Sequence, residues 1–250
     1  LSFLLSSVIL ACLETNIFEG LAIRVSDHLI IDNFYFKLIF GILGIIATVN
    51  AFNFIDGVNG VSSGIGIYCL IMFLFILDTS INYSLFIFIL MFIGALFGFF
   101  IINILFGRIF LGDLGAYALG FFISFFGIII VKEDSTVSPW LIFLILLYPG
   151  IELMFSTLRR IISGNLPFIA DNKHLHSILY QYILDKLPTH FKKYSNSFTG
   201  IIIILFGSIP GTLHFILRDY NFIIFKIIIL YILIYVFIYL VLTKLTMIRN

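Results

Sequence analysis

The sequence predicts an all-α, polytopic membrane protein with about eight transmembrane helices, and three observations support this. Of the 250 residues, 62% are hydrophobic and 11% are charged, whereas soluble domains carry about 25% charged residues. The mean hydropathy is +1.19. The apolar runs last about 14 to 22 residues, which suits membrane-crossing helices better than the weak alternation of a barrel. We therefore expect one integral membrane domain over residues 1–250.

The expected spans follow the apolar runs in chain order. They are residues 1–13, 36–53, 64–77, 84–105, 114–131, 139–156, 198–217 and 222–243. Pro149 and Pro210 lie inside spans, and we expect them to kink their helices. Trp140 and the tyrosines near span ends fit interfacial anchors. The chain opens at Leu1 inside an apolar run, without a basic region that would mark a secretory signal, so we expect it to be a fragment.

Positive charge predicts which connections face the cytoplasm. Spans alternate in direction, so every second connection lies on the same side. One side carries Arg108, Arg159, Arg160, Lys173, Lys186, Lys192, Lys193, Lys244 and Arg249, and the other carries Arg24, Lys37, Lys132, Arg218 and Lys226. The positive-inside rule places the first set in the cytoplasm. The long connection 157–197 and all three polar clusters described next fall on that side, which favours an enzyme at a membrane surface over a transporter with a site at the midplane.

The first polar cluster is the stretch Asn50-Ala-Phe-Asn-Phe-Ile-Asp-Gly-Val-Asn-Gly60. Its polar side chains recur every third residue, so they do not share one helix face. A helix that ends near Gly57, where glycine can adopt positive φ, would let them converge. Amides and a carboxylate are costly to bury at a membrane edge and by default mark a site. The alternative interpretation is a helix end with polar caps.

The second cluster is Asn103 followed by the segment 107–115, in which Asp113 lies between glycines at the mouth of a span. An aspartate near a helix N-terminus is often a cap. The same placement suits Mg²⁺, which takes oxygen ligands, often one or two from protein and the rest from phosphates and water. The glycines do not form a Walker loop.

The third cluster is Arg159-Arg160 followed by Ala170-Asp-Asn-Lys-His-Leu-His-Ser177. His174 and His176 diverge if they lie in a helix and face the same way if they lie in an extended segment. No thiolate or further histidine lies nearby to complete a zinc site. The arginines and lysine favour an anion such as a diphosphate, and the alternative is a plain basic loop.

Together these motifs resemble the polyprenyl-phosphate N-acetylhexosamine-1-phosphate transferases, the glycosyltransferase family 4 relatives of phospho-N-acetylmuramoyl-pentapeptide transferase. The segment 50–60 resembles the family's Asn-rich Asp-Gly motif, Phe110-Leu-Gly-Asp-Leu-Gly115 its Phe-x-Gly-Asp-x-Gly motif, and Asp171-Asn-Lys-His-Leu-His176 its histidine motif. The resemblance runs from residue 1 to about 180, in the family's order. It implies ten or eleven transmembrane helices in a full-length protein.

The resemblance implies transfer of a sugar 1-phosphate, such as an N-acetylhexosamine 1-phosphate, from a UDP-sugar to undecaprenyl phosphate with release of UMP. This reaction starts a lipid-linked cell-envelope glycan on the cytoplasmic face of the bacterial inner membrane. Mg²⁺ is the implied cofactor, and Mn²⁺ and a homodimer are compatible with the resemblance. No basic stripe with interleaved aromatics indicates nucleic acid as a partner.

The resemblance also implies residue roles. The catalytic residues would be Asp56, Asp113, His174 and His176, and the metal ligands Asp113 and Asn53. The nucleotide sugar would be bound by Asn50, Asn59, Asn103, Phe110, Arg159 and Arg160, with Phe110 stacking on the uracil.

The chain departs from the family pattern in three places. Family members carry an adjacent pair of aspartates upstream of the Asn-rich motif, and this chain has no such pair. Position 59 is Asn where many bacterial relatives have Asp, and Ser177 stands where a further histidine is common. Two competing interpretations therefore stay open: a catalytically inactive family member, and a membrane transporter or scramblase.

Overall fold

The computed structural model of the protein describes residues 34–78, 80, 82–134, 136–164, 173–217 and 223–247. The expected span 1–13, and Asp171 with Asn172 of the histidine motif, lie outside these residues. Within the described ranges the chain forms α-helices and one 3-10 helix, without a strand. The predicted all-α class is confirmed.

The helices coincide with the apolar runs. In lipid every backbone N–H and C=O must find a partner inside the protein, and a helix provides these partners within one segment. The helices are α1 (Phe34–Ile55), α2 (Val61–Ile76), α3 (Tyr83–Phe106), α4 (Gly112–Glu133), α5 (Pro139–Ile145), α6 (Leu147–Ile162), α7 (Leu175–Lys186), α8 (Ser195–Ile216) and α9 (Ile223–Met247), with the 3-10 helix Thr189–Tyr194 leading into α8.

Four helices of the described part are long and apolar enough to cross a membrane: α3, α4, α8 with its 3-10 extension, and α9. The bent pair of α5 and α6 makes a fifth if it is counted as one span. The apolar stretches of α1 (Gly41–Ile55) and α2 are shorter. Each of the seven spans expected in this part of the chain overlaps one of these helices or the α5–α6 pair, which agrees with a polytopic membrane protein.

The sixth expected span is broken by 67° between α5 and α6. The break lies at Leu146, three residues before Pro149, which occupies the first turn of α6. A proline ring clashes with the carbonyl group four residues earlier, which here belongs to Ile145, the last residue of α5. Pro210, in contrast, lies inside α8, which continues through it from Ser195 to Ile216.

Helix α1 lies against both α4 and α6, while α7 packs between α8 and α9. The backbones of α1 and α4 approach closely at Gly120. A Cβ atom there would lie 2.7 Å from the Cα of Val49 and 2.9 Å from the carbonyl oxygen of Thr48. Small residues allow this approach in membrane helices.

Seven helix termini meet at one end of the bundle, which we call the polar end. The C-termini of α1, α3 and α6 and the N-termini of α2, α4, α7 and α8 lie there, as shown by contacts among the residues at these termini. All three polar clusters of the sequence therefore fall on one end of the bundle.

Gly120→Ala tests the close approach of α1 and α4. The added methyl group meets backbone atoms, which cannot rotate away, so we expect a loss of about 1–3 kcal/mol in stability. Thermal unfolding in detergent measures this loss. Gly94→Ala in α3 is the matched control, because a Cβ there has no atom within 4 Å and alanine favours helix by about 1 kcal/mol. Equal unfolding temperatures for both variants would contradict the packing described.

Candidate active site

The turn 56–60 between α1 and α2 is the centre of the polar end. Helix α1 ends at Ile55, and the positive φ needed to enter α2 falls on Gly60, at 79°. The expectation that Gly57 supplies the positive φ is therefore wrong. Gly57 is required for a different reason, since a Cβ atom there would overlap Nε2 of His176.

The first and second clusters meet through one hydrogen bond. The amide of Asn53, in the last turn of α1, donates through Nδ2 to Oδ1 of Asp113 at 3.1 Å. Asp113 lies in the first turn of α4, but the N-cap residue is Leu111 and no side chain caps this helix. Asp113 is thus an exposed carboxylate at a helix N-terminus, where the helix dipole favours negative charge, and the N-cap interpretation does not apply.

Negative charge is concentrated beside this bond. The pKa of Asp56 is raised to about 6, first because the carboxylate is partly buried and second because the negative charge of Asp113 lies nearby. Two carboxylates that disfavour each other's ionisation are relieved by a cation. This donor set fits Mg²⁺, which commonly takes one or two carboxylates and completes its shell with phosphates and water. Among the described residues, no group of three or more His, Cys, Asp or Glu side chains is placed to hold a metal alone.

Asn59 is held by contacts to its N–H, its carbonyl oxygen and its side-chain amide. Its N–H donates to Oδ1 of Asn196 at 2.6 Å, and its carbonyl oxygen occupies the place where a Cβ on Gly200 would lie. Its side-chain amide lies against Gly107, which adopts a φ of 58°. The beginning of α8 therefore fixes the direction of Asn59, a role that the sequence analysis did not assign to Asn196.

Asn103 is buried beneath the same turn. Its Oδ1 accepts the N–H of Gly60 at 2.5 Å, and its Nδ2 donates to the carbonyl oxygen of Ile109 at 2.6 Å. Both ends of the amide therefore hold main chain, one in the turn 56–60 and the other in the segment before Asp113. Asn103 ties the first two clusters together, and its direct contact with uracil remains a prediction.

The histidine motif reaches the opposite side of the turn. His174 is extended at the N-cap of α7, and its ring meets Phe54 edge-on at 5.3 Å between centroids. The His176 ring is stacked on that of His174 at 5.3 Å, with 3° between the planes, and its Nε2 edge faces Gly57. The two rings converge because His174 precedes the helix and His176 lies in its first turn.

One of the two expected arginines joins this group. Arg160 is buried, with its guanidinium 5.1 Å from the centre of the Phe54 ring and Nη2 3.4 Å from Nε2 of His174. Arg159 instead turns to Ser156, donating from Nη2 to Oγ at 3.2 Å.

Two further predicted site residues, Asn50 and Phe110, make none of the contacts described above. Asn50 donates from Nδ2 to the carbonyl oxygen of Ile46, one turn earlier in its own helix, at 2.7 Å, so it does not join Asn53 and Asp113. The predicted convergence of all four polar residues of the first cluster is therefore wrong, since Asn50 is still inside a regular helix. Phe110 is 70% exposed in the segment between α3 and α4.

Sequence reasoning missed Glu152, in α6. This carboxylate is only 1% exposed and contacts His174 at 3.0 Å. The available signal was a single acidic residue within the apolar span 139–156, since an ionisable residue inside a membrane segment is by default a candidate for function.

The arrangement can hold a cation and an anion side by side. Asp113, Asp56 and Asn53 provide oxygen atoms on one side of the turn, and Arg160 with the two imidazoles lies on the other. Arginine and histidine donors bind phosphate oxygens, and carboxylates bind divalent cations.

Asn103→Ala tests the link between the first two clusters. It leaves the N–H of Gly60 and the carbonyl of Ile109 without these partners, so we expect a loss of about 2–4 kcal/mol and faster amide hydrogen exchange in residues 56–60. Asn82→Ala is the control: Asn82 caps α3 at 2.9 Å from the N–H of Leu85, and its loss costs about 1 kcal/mol. Unchanged exchange in the turn of the Asn103 variant would refute the link.

The buried His176 predicts sensitivity to acid. Burial lowers its pKa to about 4, with Glu152 opposing this effect and His174 adding to it. The unfolded chain takes up a proton below about pH 6.5, so the free energy of unfolding falls as the pH falls from about 6.5 to about 4. At pH 5.5 the cost is about 1 kcal/mol.

His176→Gln, with a neutral side chain, should lose less stability between pH 7 and pH 5.5 than the wild type, as measured by thermal unfolding. An identical dependence on pH would show that His176 is not held neutral.

The sequence is similar to a known family and to several of its curated members. The profile described as Glycosyl transferase family 4 matches residues 1–131. The chain is 29% identical over 145 residues to the undecaprenyl-phosphate alpha-N-acetylglucosaminyl 1-phosphate transferase of Thermotoga maritima, covering 58% of this chain and 44% of that protein. It is 32% identical over 131 residues to the phospho-N-acetylmuramoyl-pentapeptide-transferase of Lactobacillus johnsonii, covering 52% and 38%.

A third relative extends the match further along the chain. It is the probable undecaprenyl-phosphate N-acetylglucosaminyl 1-phosphate transferase of Bacillus subtilis, 26% identical over 194 residues, which cover 75% of this chain and 51% of that protein. The chain thus spans about half or less of the length of these curated relatives. The family profile covers more than half of the 250 residues, and the chain therefore belongs to glycosyl transferase family 4.

Proposed function

We propose that the complete protein transfers a hexosamine 1-phosphate from a UDP-sugar to undecaprenyl phosphate and releases UMP. Two of the relatives are named as undecaprenyl-phosphate N-acetylglucosaminyl 1-phosphate transferases, which supports this lipid acceptor and an N-acetylhexosamine donor. The proposal places the protein in a bacterial inner membrane, with the polar end facing the cytoplasm.

The observation that carries the proposal is the meeting of three motifs at one turn. Asn53 binds Asp113 at 3.1 Å, the Phe54 ring meets that of His174, and Gly57 lies against His176. These residues come from segments separated by about 60 residues in sequence. A site for two phosphorylated substrates needs such positioning, because phosphoryl transfer depends mostly on placement and electrostatic stabilisation.

The reaction determines which groups are needed. An oxygen of the acceptor phosphate attacks the β-phosphorus of the donor, the bond from that phosphorus to the bridging oxygen breaks, and UMP leaves with the oxygen. Both reactants are anionic. The acceptor phosphate is largely ionised near pH 7, with a second pKa near 6 by analogy with phosphoserine, so a strong base is not required.

The carboxylate side of the turn would hold the metal. Asp113 and Asn53 would bind Mg²⁺, with Asp56 close by. When bound, Mg²⁺ would screen the repulsion between the phosphates and stabilise charge on the departing UMP. The raised pKa of Asp56 near Asp113 supports a cation at this place.

The imidazole side of the turn would bind the donor's diphosphate. Arg160 supplies a planar guanidinium suited to phosphate oxygens, and His174 and His176 lie beside it. Asn59 and the exposed Phe110 would contact the uracil, while Asn103 keeps the two clusters in register.

An exchange assay tests the function. Membranes containing the complete protein, undecaprenyl phosphate and Mg²⁺ should exchange labelled UMP into UDP-N-acetylhexosamine. We expect Asp113→Asn to lower this exchange by about a hundredfold or more, as for loss of one key electrostatic group. Asp78→Asn is the matched control, because Asp78 is exposed and bonded to Ser80, outside the turn that joins the motifs.

Wild-type exchange in the Asp113 variant would remove Asp113 from the metal site. Absence of exchange with every UDP-N-acetylhexosamine in the wild-type protein would reject the transferase function. Movement of substrate across the membrane without release of UMP would favour a transporter instead.

A further inference from the structure

Glu152 occupies an unusual place for a carboxylate. It lies in α6, within the bent pair that is long and apolar enough for a membrane span if counted as one, and it is 1% exposed. A buried carboxylate is expensive in such a place and persists only when its oxygens are bound. Its partners therefore indicate what it does.

Both oxygens of Glu152 are occupied by protein. Oε1 accepts the N–H of Leu175 at 3.1 Å and is 3.0 Å from Nδ1 of His174. Oε2 accepts the hydroxyl of Tyr235 at 2.8 Å. Three helices, α6, α7 and α9, thus meet on one carboxylate, whose partners are protein groups.

These bonds determine the state of the His174 ring. An ionised carboxylate only accepts hydrogen bonds, so Nδ1 of His174 carries the hydrogen and donates to Oε1. Nε2 is then the atom that faces Arg160, at 3.4 Å from Nη2. A carboxylate that selects the tautomer and orientation of a functional histidine is a recurring arrangement.

Helix α9 supports the same segment with a stripe of tyrosines. Tyr231, Tyr235 and Tyr239 are four residues apart and share one helix face, and all three are buried. The hydroxyl of Tyr239 donates to the carbonyl oxygen of Lys173 at 3.1 Å, immediately before His174. Tyr231 instead donates to Phe206 in α8, at 3.2 Å. These tyrosines are therefore not interfacial anchors.

A structural role alone does not account for the carboxylate. Apolar residues of similar volume can join three helices without the cost of burying charge. What they cannot do is direct the ring of His174, on which His176 is stacked at 3° between planes. By orienting His174, Glu152 thus also orients the stacked ring of His176, whose edge faces Gly57.

We infer that Glu152, Tyr235 and Tyr239 are positioning residues that orient the His174 ring and, through it, the Arg160 guanidinium and the stacked His176 for binding of the donor's diphosphate. They act through the two histidines and do not touch substrate. The inference rests on the proposed function and assigns it residues outside the segment 1–131 that the family profile matches.

Three single substitutions test the inference in the complete protein: Tyr235→Phe, Tyr239→Phe and Tyr231→Phe. Each removes one hydroxyl from the same face of α9 and leaves the ring. Only the first two remove bonds to Glu152 or to the main chain before His174. Tyr231→Phe is therefore a control matched in residue type, burial and helix.

The first measurement is amide hydrogen exchange of residues 174–178 without substrate. We expect Tyr235→Phe and Tyr239→Phe to accelerate exchange there by about tenfold, the effect of one hydrogen bond of about 1.4 kcal/mol, and Tyr231→Phe to leave it unchanged. The second measurement is steady-state kinetics, in which the first two should raise the donor KM or lower kcat/KM by about tenfold.

Thermal unfolding separates positioning from general destabilisation. The inference holds if all three variants lose similar stability but only Tyr235→Phe and Tyr239→Phe alter amide hydrogen exchange and the steady-state kinetics. It is overturned if Tyr235→Phe and Tyr239→Phe behave like Tyr231→Phe in exchange or kinetics. Failure of the proposed transferase function can be told apart from failure of this inference, because amide hydrogen exchange is measured without enzymatic activity.

Glu152 itself is tested by substitution with Gln and with Ala. Gln keeps an acceptor for Leu175 and His174, so Glu152→Gln should retain most of the wild-type exchange protection, whereas Glu152→Ala should lose it. Equal protection in the two variants would contradict the role of the acceptor. Should Glu152→Ala fail to fold, the three tyrosine variants still test the inference.

Discussion

The polar end depends on the approach of the turn after α1 to the histidine segment. Gly57 leaves no side chain between this turn and the His176 ring, and Phe54 meets the His174 ring edge-on. The same helix end binds Asp113 on its other side. Close-packed helices resist deformation, so the packing of α1 against α4 holds the turn beside Asp113. The packing of α7 against α8 and α9 holds the two imidazoles beside the same turn.

Several polar side chains bind main chain in this turn or in the histidine segment beside it. In a bundle surrounded by lipid, a buried polar atom must find its partner inside the protein. Asn103 and Asn196 both meet this demand by binding main chain of the turn 56–60, and Glu152 binds main chain at the start of α7. A loop held by side chains from neighbouring helices keeps its shape before substrate arrives, which lowers the entropic cost of binding.

Sequence reasoning located the helices and the three motifs, because hydrophobic length and polar clusters are local signals. It also predicted the kink at Pro149, because the clash of a proline ring with the preceding turn is local. It did not anticipate that the Asn50 amide bonds to Ile46 within α1. It failed where structure depends on distant partners, since Gly57 is needed for the ring of His176, 119 positions later. In the sequence, Glu152 and the α9 tyrosines resembled isolated residues in apolar runs, because their hydrogen bonds are made to other helices.

The charge distribution around the turn bears on the proposed binding of a metal ion and a diphosphate. Burial and the nearby charge of Asp113 raise the pKa of Asp56, and a cation beside the two carboxylates would relieve this effect. The other side contains the Arg160 guanidinium beside His174, and a His176 that burial keeps neutral. In the proposed reaction a metal-bound diphosphate would satisfy both sides at once, because the carboxylates would bind its cation and the guanidinium its oxygens. Either component alone leaves one side uncompensated, so metal and diphosphate should bind cooperatively.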